Sequence, residues 1–130
     1  MESTEAIEGN QREGDILLVL RHAPHGSSWL REGLDIALVG AAFDRKVSLL
    51  FMGEGVLALL SGQTSGALGQ KGTHPTLQML EMYDVDALYA ESAAMSRFAV
   101  AEADLLLTPE RVGETAIADL LKHHDLVLTF

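Results

Sequence analysis

The stretch Asp15–Met52, DILLVLRHAPHGSSWLREGLDIALVGAAFDRKVSLLFM, decides the fold. It opens on an apolar run, Ile16-Leu17-Leu18-Val19-Leu20, and closes on a second, Val47-Ser48-Leu49-Leu50-Phe51. Short apolar runs bounded by turn residues suit strands buried on both faces. Between them, Leu30, Leu34, Leu38 and Ala41 recur at helical spacing and make one apolar stripe. Strand, helix and strand in that order form a right-handed crossover, the unit of a parallel sheet. The polar turn Arg21-His22-Ala23-Pro24-His25-Gly26-Ser27-Ser28 then lies at the carboxyl end of the first strand, where such sheets meet ligands and partners. Ser28 is the expected N-cap of the helix.

The same alternation continues along the chain. Val56-Leu57-Ala58-Leu59-Leu60 reads as a short helix, apolar all round; either it is wedged beneath another element or it meets another subunit. Pro75 opens a second helix whose Leu77, Met79 and Leu80 are expected to face the sheet. Val85–Ala90 is expected as a third strand, Ser92–Phe98 as a short helix and Ala103–Leu107 as a fourth strand. Thr108-Pro109-Glu110 has the marks of a helix start, with Val112, Ala116, Ile117, Leu120 and Leu121 as the apolar side. Leu126–Phe130 closes the chain as a fifth strand. The expected architecture is a single three-layer α/β/α domain, residues 15–130, around a mainly parallel five-stranded sheet. Ahead of it, residues 1–14 carry Glu2, Glu5, Glu8 and Glu13 against Arg12 and read as an acidic, disordered tail. Gly62, Gly66, Gly69 and Gly72 mark Ser61–Thr73 as a mobile loop.

Composition narrows the function. A chain of 130 residues, 48% hydrophobic, is one domain with ample core. No run approaches a membrane span and the acidic start lacks a signal-peptide pattern, so a cytoplasmic protein is expected, with no membrane partner. A formal net charge of −10 disfavours direct nucleic-acid binding. Cysteine is absent, which excludes disulfides, thiolate metal sites and thiol catalysis.

No catalytic constellation stands out. Neither the phosphate-loop nor the dinucleotide pattern occurs, so no cofactor is expected; Gly26-Ser27-Ser28 retains only the possibility of a small anion at a helix start. His22, His25, His74, His123 and His124 lack metal-ligand spacing, and no serine sits in a nucleophile elbow. His123 and His124 read as structural, at a helix C-terminus. The expected site therefore has no catalytic, cofactor or metal residue.

Taken together, Ala23-Pro24-His25-Gly26, Arg31-Glu32-Gly33-Leu34-Asp35, Gly40-Ala41-Ala42-Phe43-Asp44 and Leu50-Phe51-Met52-Gly53-Glu54-Gly55-Val56 give the chain a family likeness. Leu60-Ser61-Gly62-Gln63, Leu80-Glu81-Met82-Tyr83-Asp84-Val85 and Asp125-Leu126-Val127-Leu128-Thr129-Phe130 continue it to the end of the chain. It resembles the sulfur-relay subunits of the DsrE/DsrF-like family, and among them the C-type (TusC or DsrF) branch. The resemblance implies an α/β fold and a heterohexamer with sister subunits of B (DsrH) and D (DsrE) type, two copies of each. Such complexes pass persulfide sulfur onward, in one branch to the tRNA wobble uridine as 2-thiouridine, in another within sulfur oxidation. The family's sulfur-bearing cysteine belongs to the D-type sister, after its third strand. The matching region here, Ala90-Glu91-Ser92-Ala93-Ala94, has none. A non-catalytic subunit is thus implied, with Arg21, His22, Pro24, His25, Val56, Leu57, Leu60 and Gln63 expected at subunit interfaces. The competing reading is a self-associating α/β protein that binds a small anionic ligand at Gly26-Ser27-Ser28.

Overall fold

A computed structural model describes residues 14–25, 27–60 and 74–130. The first strand, β1 (Gly14–Leu20), takes in Gly14, one residue ahead of the expected domain start; the remainder of the acidic tail lies outside the described residues. Helix α1 (Trp29–Ala42) leads to β2 (Val47–Phe51), and a 3-10 helix follows at Gly53–Leu59. Next come α2 (His74–Met82), β3 (Ala87–Glu91) and α3 (Ser92–Arg97). After a 3-10 turn at Glu102–Asp104, the chain ends with β4 (Glu110–Val112), α4 (Glu114–Lys122) and β5 (His124–Thr129).

The five strands form one parallel sheet in the order β4-β3-β2-β1-β5. All five residues of β2 are buried, as a near-continuous apolar run in a central parallel strand requires. The two faces are covered unequally. Leu18, Leu20, Leu49 and Phe51 pack beneath α1, α2, α3 and the first 3-10 helix, against Leu34, Leu77, Met95 and Leu59. On the other face Leu17, Val19 and Leu50 meet Ile117 and Leu120 of α4, together with Val112. Because β4 and β5 are opposite edges, α4 carries the chain back across the whole sheet.

A polar contact fastens the start of the last strand. His124 is buried; its Nδ1 lies 2.7 Å from the Leu120 carbonyl and its Nε2 2.9 Å from Ser48 Oγ. The carbonyl can only accept, so Nδ1 carries the proton and Nε2 receives the Ser48 hydroxyl. The ring lies against Gly14, where a Cβ would stand 3.3 Å from it and 3.1 Å from the Lys46 carbonyl oxygen. Burial in this way satisfies both ring nitrogens and joins β5 to β2 across β1.

Three helices end alike. The residue after the C-cap is left-handed in each, Asp44 (φ 63), Asp84 (φ 63) and Ala99 (φ 55), and follows Phe43, Tyr83 and Phe98. The next N–H returns to a carbonyl five residues back: Arg45 to Gly40, Val85 to Leu80, and Val100 to Met95. These are Schellman closures made without glycine.

Several expectations need correction. Ala103–Leu107 is not a strand of the sheet: Leu105 makes an isolated antiparallel bridge to Leu60, and Leu106 N–H donates to the Leu59 carbonyl at 2.7 Å. Its leucines serve the 3-10 helix instead, and the edge position goes to Glu110–Val112. Thr108-Pro109-Glu110 accordingly does not start a helix; α4 begins at Glu114 behind an extended Gly113. Val112 is a buried strand residue, and Ala116 and Leu121 are exposed. Met79 is also exposed, since it lies about 200° around α2 from Leu77. β3 starts at Ala87 because the Val85 N–H is used to close α2. Ser28 sits at the N-cap position but makes no side-chain cap; its hydroxyl donates to Glu32 Oε2 at 2.5 Å.

Of the three left-handed closures, Ala99 is the most strained, because aspartate tolerates this region better than alanine does. Ala99→Gly should raise stability by about 0.5–1 kcal/mol, the relief of strain exceeding the added unfolded-state entropy. A thermal melt would register this as a gain of a few degrees; Ala99→Val should lower the melting point.

Candidate functional site

At the carboxyl ends of the strands the backbone draws together segments distant in sequence. Phe130 N–H donates to the Val19 carbonyl at 2.8 Å, and Arg21 N–H to the Phe130 carbonyl at 2.7 Å, so the chain end pins the start of the polar turn. Met52 N–H donates to the Leu20 carbonyl at 2.9 Å, which brings the segment after β2 alongside that turn. Gly55 completes the contact. A Cβ built there would collide with the Leu20 carbonyl oxygen and lie 3.3 Å from Arg21 N, so only glycine lets the 3-10 helix approach β1 this closely.

The expected residues separate into three groups. Arg21 and His25 are exposed, and His22 and Pro24 half-buried, on the turn after β1. The residues 56–60 stand beside them, but Val56 is 0% exposed and belongs to the core rather than to an outer surface. The wedged arrangement thus holds for Val56, Ala58 and Leu59; Leu57 and Leu60 are half-buried and pack on the same core from its margin. Gln63 and Gly26 lie outside the described residues.

Residues that sequence reasoning passed over complete the edge. Trp29, half exposed at the first position of α1, stacks on His22 with ring centroids 5.8 Å apart and planes at 22°. His22 Nδ1 is buried with no hydrogen-bond partner among the described residues. Glu91, at the end of β3, accepts from Gly53 N–H at 2.9 Å through Oε1 and so holds the turn into the 3-10 helix. Arg111 on β4 donates to Ser92 Oγ at 3.1 Å and to Ser96 Oγ at 3.4 Å, tying the edge strand to α3. The lone tryptophan, next to a histidine-bearing turn, was the one signal that could have been read beforehand.

Chemically, this edge offers an aromatic stack, an imidazole nitrogen without a partner among the described residues, an arginine and a second histidine. Among the described residues no cluster of three His, Asp or Glu is placed to hold a metal. The start of α1 already has a carboxylate, Glu32, bonded to Ser28, which opposes a further anion there. No helix among the described residues is long and apolar enough to cross a membrane.

Residues 14–130 match the sequence model of the DsrE/DsrF-like family. The chain belongs to the DsrE/DsrF-like family. A TusC homologue from Pseudomonas aeruginosa is 39% identical over 114 residues, spanning 88% of this chain and 96% of the relative. The intracellular sulfur oxidation protein DsrF of Allochromatium vinosum is 35% identical, over 85% of this chain and 91% of its own. The sheet and its helices also superpose on the crystal structure of the ychN protein from E. coli, with a TM-score of 0.78 and 24% identity across 89% of this chain and 98% of that one. That likeness concerns the fold. Within this DsrE/DsrF-like chain, β3 ends at Glu91 and runs directly into α3 at Ser92, with no thiol at the junction or elsewhere.

Gly55→Ala should therefore be among the most damaging single substitutions, because the obstructing atoms are backbone. A loss of about 3 kcal/mol or more is expected, measured by urea unfolding. Gly53→Ala meets nothing within 4 Å and tests only the cost of its positive φ, about 1 kcal/mol.

Proposed function

We propose that this DsrE/DsrF-like chain is a non-catalytic subunit of a cytoplasmic sulfur-relay complex, of the TusC kind, supporting persulfide transfer for 2-thiolation of the tRNA wobble uridine. The observation that carries the reading is a DsrE/DsrF-like match over residues 14–130 in a sequence without any cysteine. A persulfide needs a sulfur atom bonded to a protein thiolate, so no residue of this chain accepts or passes one. Its contribution must come through contacts with subunits that do carry thiols, and the sister subunits of B and D type are the partners proposed.

The carboxyl edge supports that role. The Trp29–His22 stack presents apolar area beside a buried nitrogen that lacks a partner among the described residues, and an incoming polar group would satisfy it. Arg21 and His25 flank the stack in sequence, and Leu57 and Leu60, in the segment after β2, are half-buried at the margin of the core. Aromatic residues and arginine at the centre of a patch are the usual anchors of protein interfaces. The TusC role is placed ahead of the DsrF role because the TusC homologue is the more similar of the two, at 39% against 35% identity.

Co-expression with the B- and D-type sisters, followed by native mass measurement, tests the assignment. The expected species is a heterohexamer with two copies of each subunit. Replacing exposed Arg21 and His25 by Glu should reduce assembly at least tenfold while leaving the melting point of the lone chain within a degree or two. A chain that forms only homo-oligomers beside its sisters would remove the proposal. Loss of the gene should deplete 2-thiouridine in tRNA; unchanged tRNA with impaired sulfur oxidation would assign the DsrF role instead.

A further inference from the structure

At the opposite end of the sheet the chain exposes a second surface of a different kind. Nine large apolar side chains stand exposed among the described residues, and six of them belong to two neighbouring helices and their ends: Ile36 and Val39 on α1 with Phe43 directly after it, and Met79 and Met82 on α2 with Tyr83 directly after it. The α1 trio follows i, i+3, i+7 and lies directly opposite the buried stripe of Leu30, Leu34 and Ala37. The two helices pack side by side, and their C-terminal ends border an open cavity of about 260 Å³ lined by Ala41, Asp44, Arg45, Tyr83, Asp84 and Asp86, among others. Phe43 and Met82 are 76% and 79% exposed, values no folding requirement of this chain explains.

Charge indicates what covers this face. Both helices present the negative end of their dipole here, and neither has a basic residue in its last turn, whereas α3 has Arg97 and α4 has Lys122. Aspartates follow immediately: Asp44 after α1, and Asp84 and Asp86 after α2, with Asp35 and Glu81 at the sides. Among the described residues there, only Arg45 and Lys46 offset them. A second copy of the chain would bring the same acidic rim and a further net charge of −10. Residues 1–13, with four glutamates against one arginine, are disfavoured by the same repulsion; residues 61–73 offer only Ala67 and Leu68 as apolar cover.

We infer that the outer face of α1 and α2 docks a different protein, through an apolar helix edged by lysine or arginine whose cations lie against Asp44 and Asp84. A basic side chain would enter the open cavity between the helix ends beside Asp44, Asp84 and Asp86, although Arg45 and Lys46 line it as well. The acidic rim is separated from the Trp29–His22 edge by the length of the strands, whereas Ile36 lies two helical turns from Trp29 on the same exposed side of α1. It stands on exposure and charge alone and does not depend on the relay assignment.

The test replaces Phe43, and separately Met82, by the photocrosslinker benzoylphenylalanine in the full chain, in cells carrying the native gene. Irradiation is followed by identification of the linked peptides. Both positions should link one foreign polypeptide, at an apolar segment flanked by Lys or Arg. With that partner purified, Asp44→Asn with Asp84→Asn should raise Kd at least tenfold, and raising the salt should weaken binding further in the unsubstituted pair. Asparagine accepts the left-handed backbone, so these variants should fold, which a melting curve verifies. Linkage to a second copy, to residues 1–13 or 61–73 of the same chain, to a segment without basic residues, or to nothing overturns the inference. So does an affinity indifferent to the Asn pair.

Discussion

The approach of the 3-10 helix to the end of β1 constrains more of this molecule than any other contact. Gly55 lies against the Leu20 carbonyl with no room for a side chain, while Met52 N–H bonds that same carbonyl from the neighbouring strand. Around this junction the chain can bury Val56, Ala58 and Leu59 completely and still deliver Leu59 and Leu60 to Leu105 and Leu106. Glu91 fixes the preceding turn through Gly53 N–H, so β3 also registers the contact. Four segments therefore owe their mutual placement at the carboxyl edge to one position where only glycine fits. Such a site cannot be softened by rearranging flexible side chains, because the opposing atoms are backbone.

The amino-acid sequence made the central architecture legible and blurred its margins, for identifiable physical reasons. Val47–Phe51 was read with its observed bounds because burial on both faces leaves an uninterrupted apolar run. At the edge that signal vanishes: in β4, Glu110 and Arg111 face solvent and only Val112 is buried, so three residues carry no alternation to read. The stronger local pattern nearby, Ala103–Leu107, reads as a strand, although its leucines pack on the 3-10 helix. The apparent helix start at Thr108-Pro109-Glu110 failed likewise, because proline and an acid are as acceptable entering an edge strand as entering a helix. Within the site, the polar turn was correctly placed by topology. The role of Gly55 is silent in the sequence, since a close backbone approach leaves no mark on hydropathy, and the Trp29–His22 stack depends on a turn conformation that composition does not encode.

The same unevenness explains how one small domain can present two unlike surfaces. A parallel sheet has chemically distinct ends, with strands delivering loops at one and helices terminating at the other. At the carboxyl end the loops are tied by backbone hydrogen bonds and carry histidine, arginine and tryptophan. At the amino end α1 and α2 finish in aspartates held at positive φ, where two helix dipoles and several carboxylates share one sign. Asp44 and Asp84 sit where glycine would serve the backbone better and a cation would serve the dipole better. Solubility does not require either aspartate, since the chain is strongly acidic already. The proposed docking role would account for both aspartates and for the exposed Phe43 and Met82 beside them. Under the proposed subunit role, recognition is the means of action, and the two ends of the domain supply different chemistries for it.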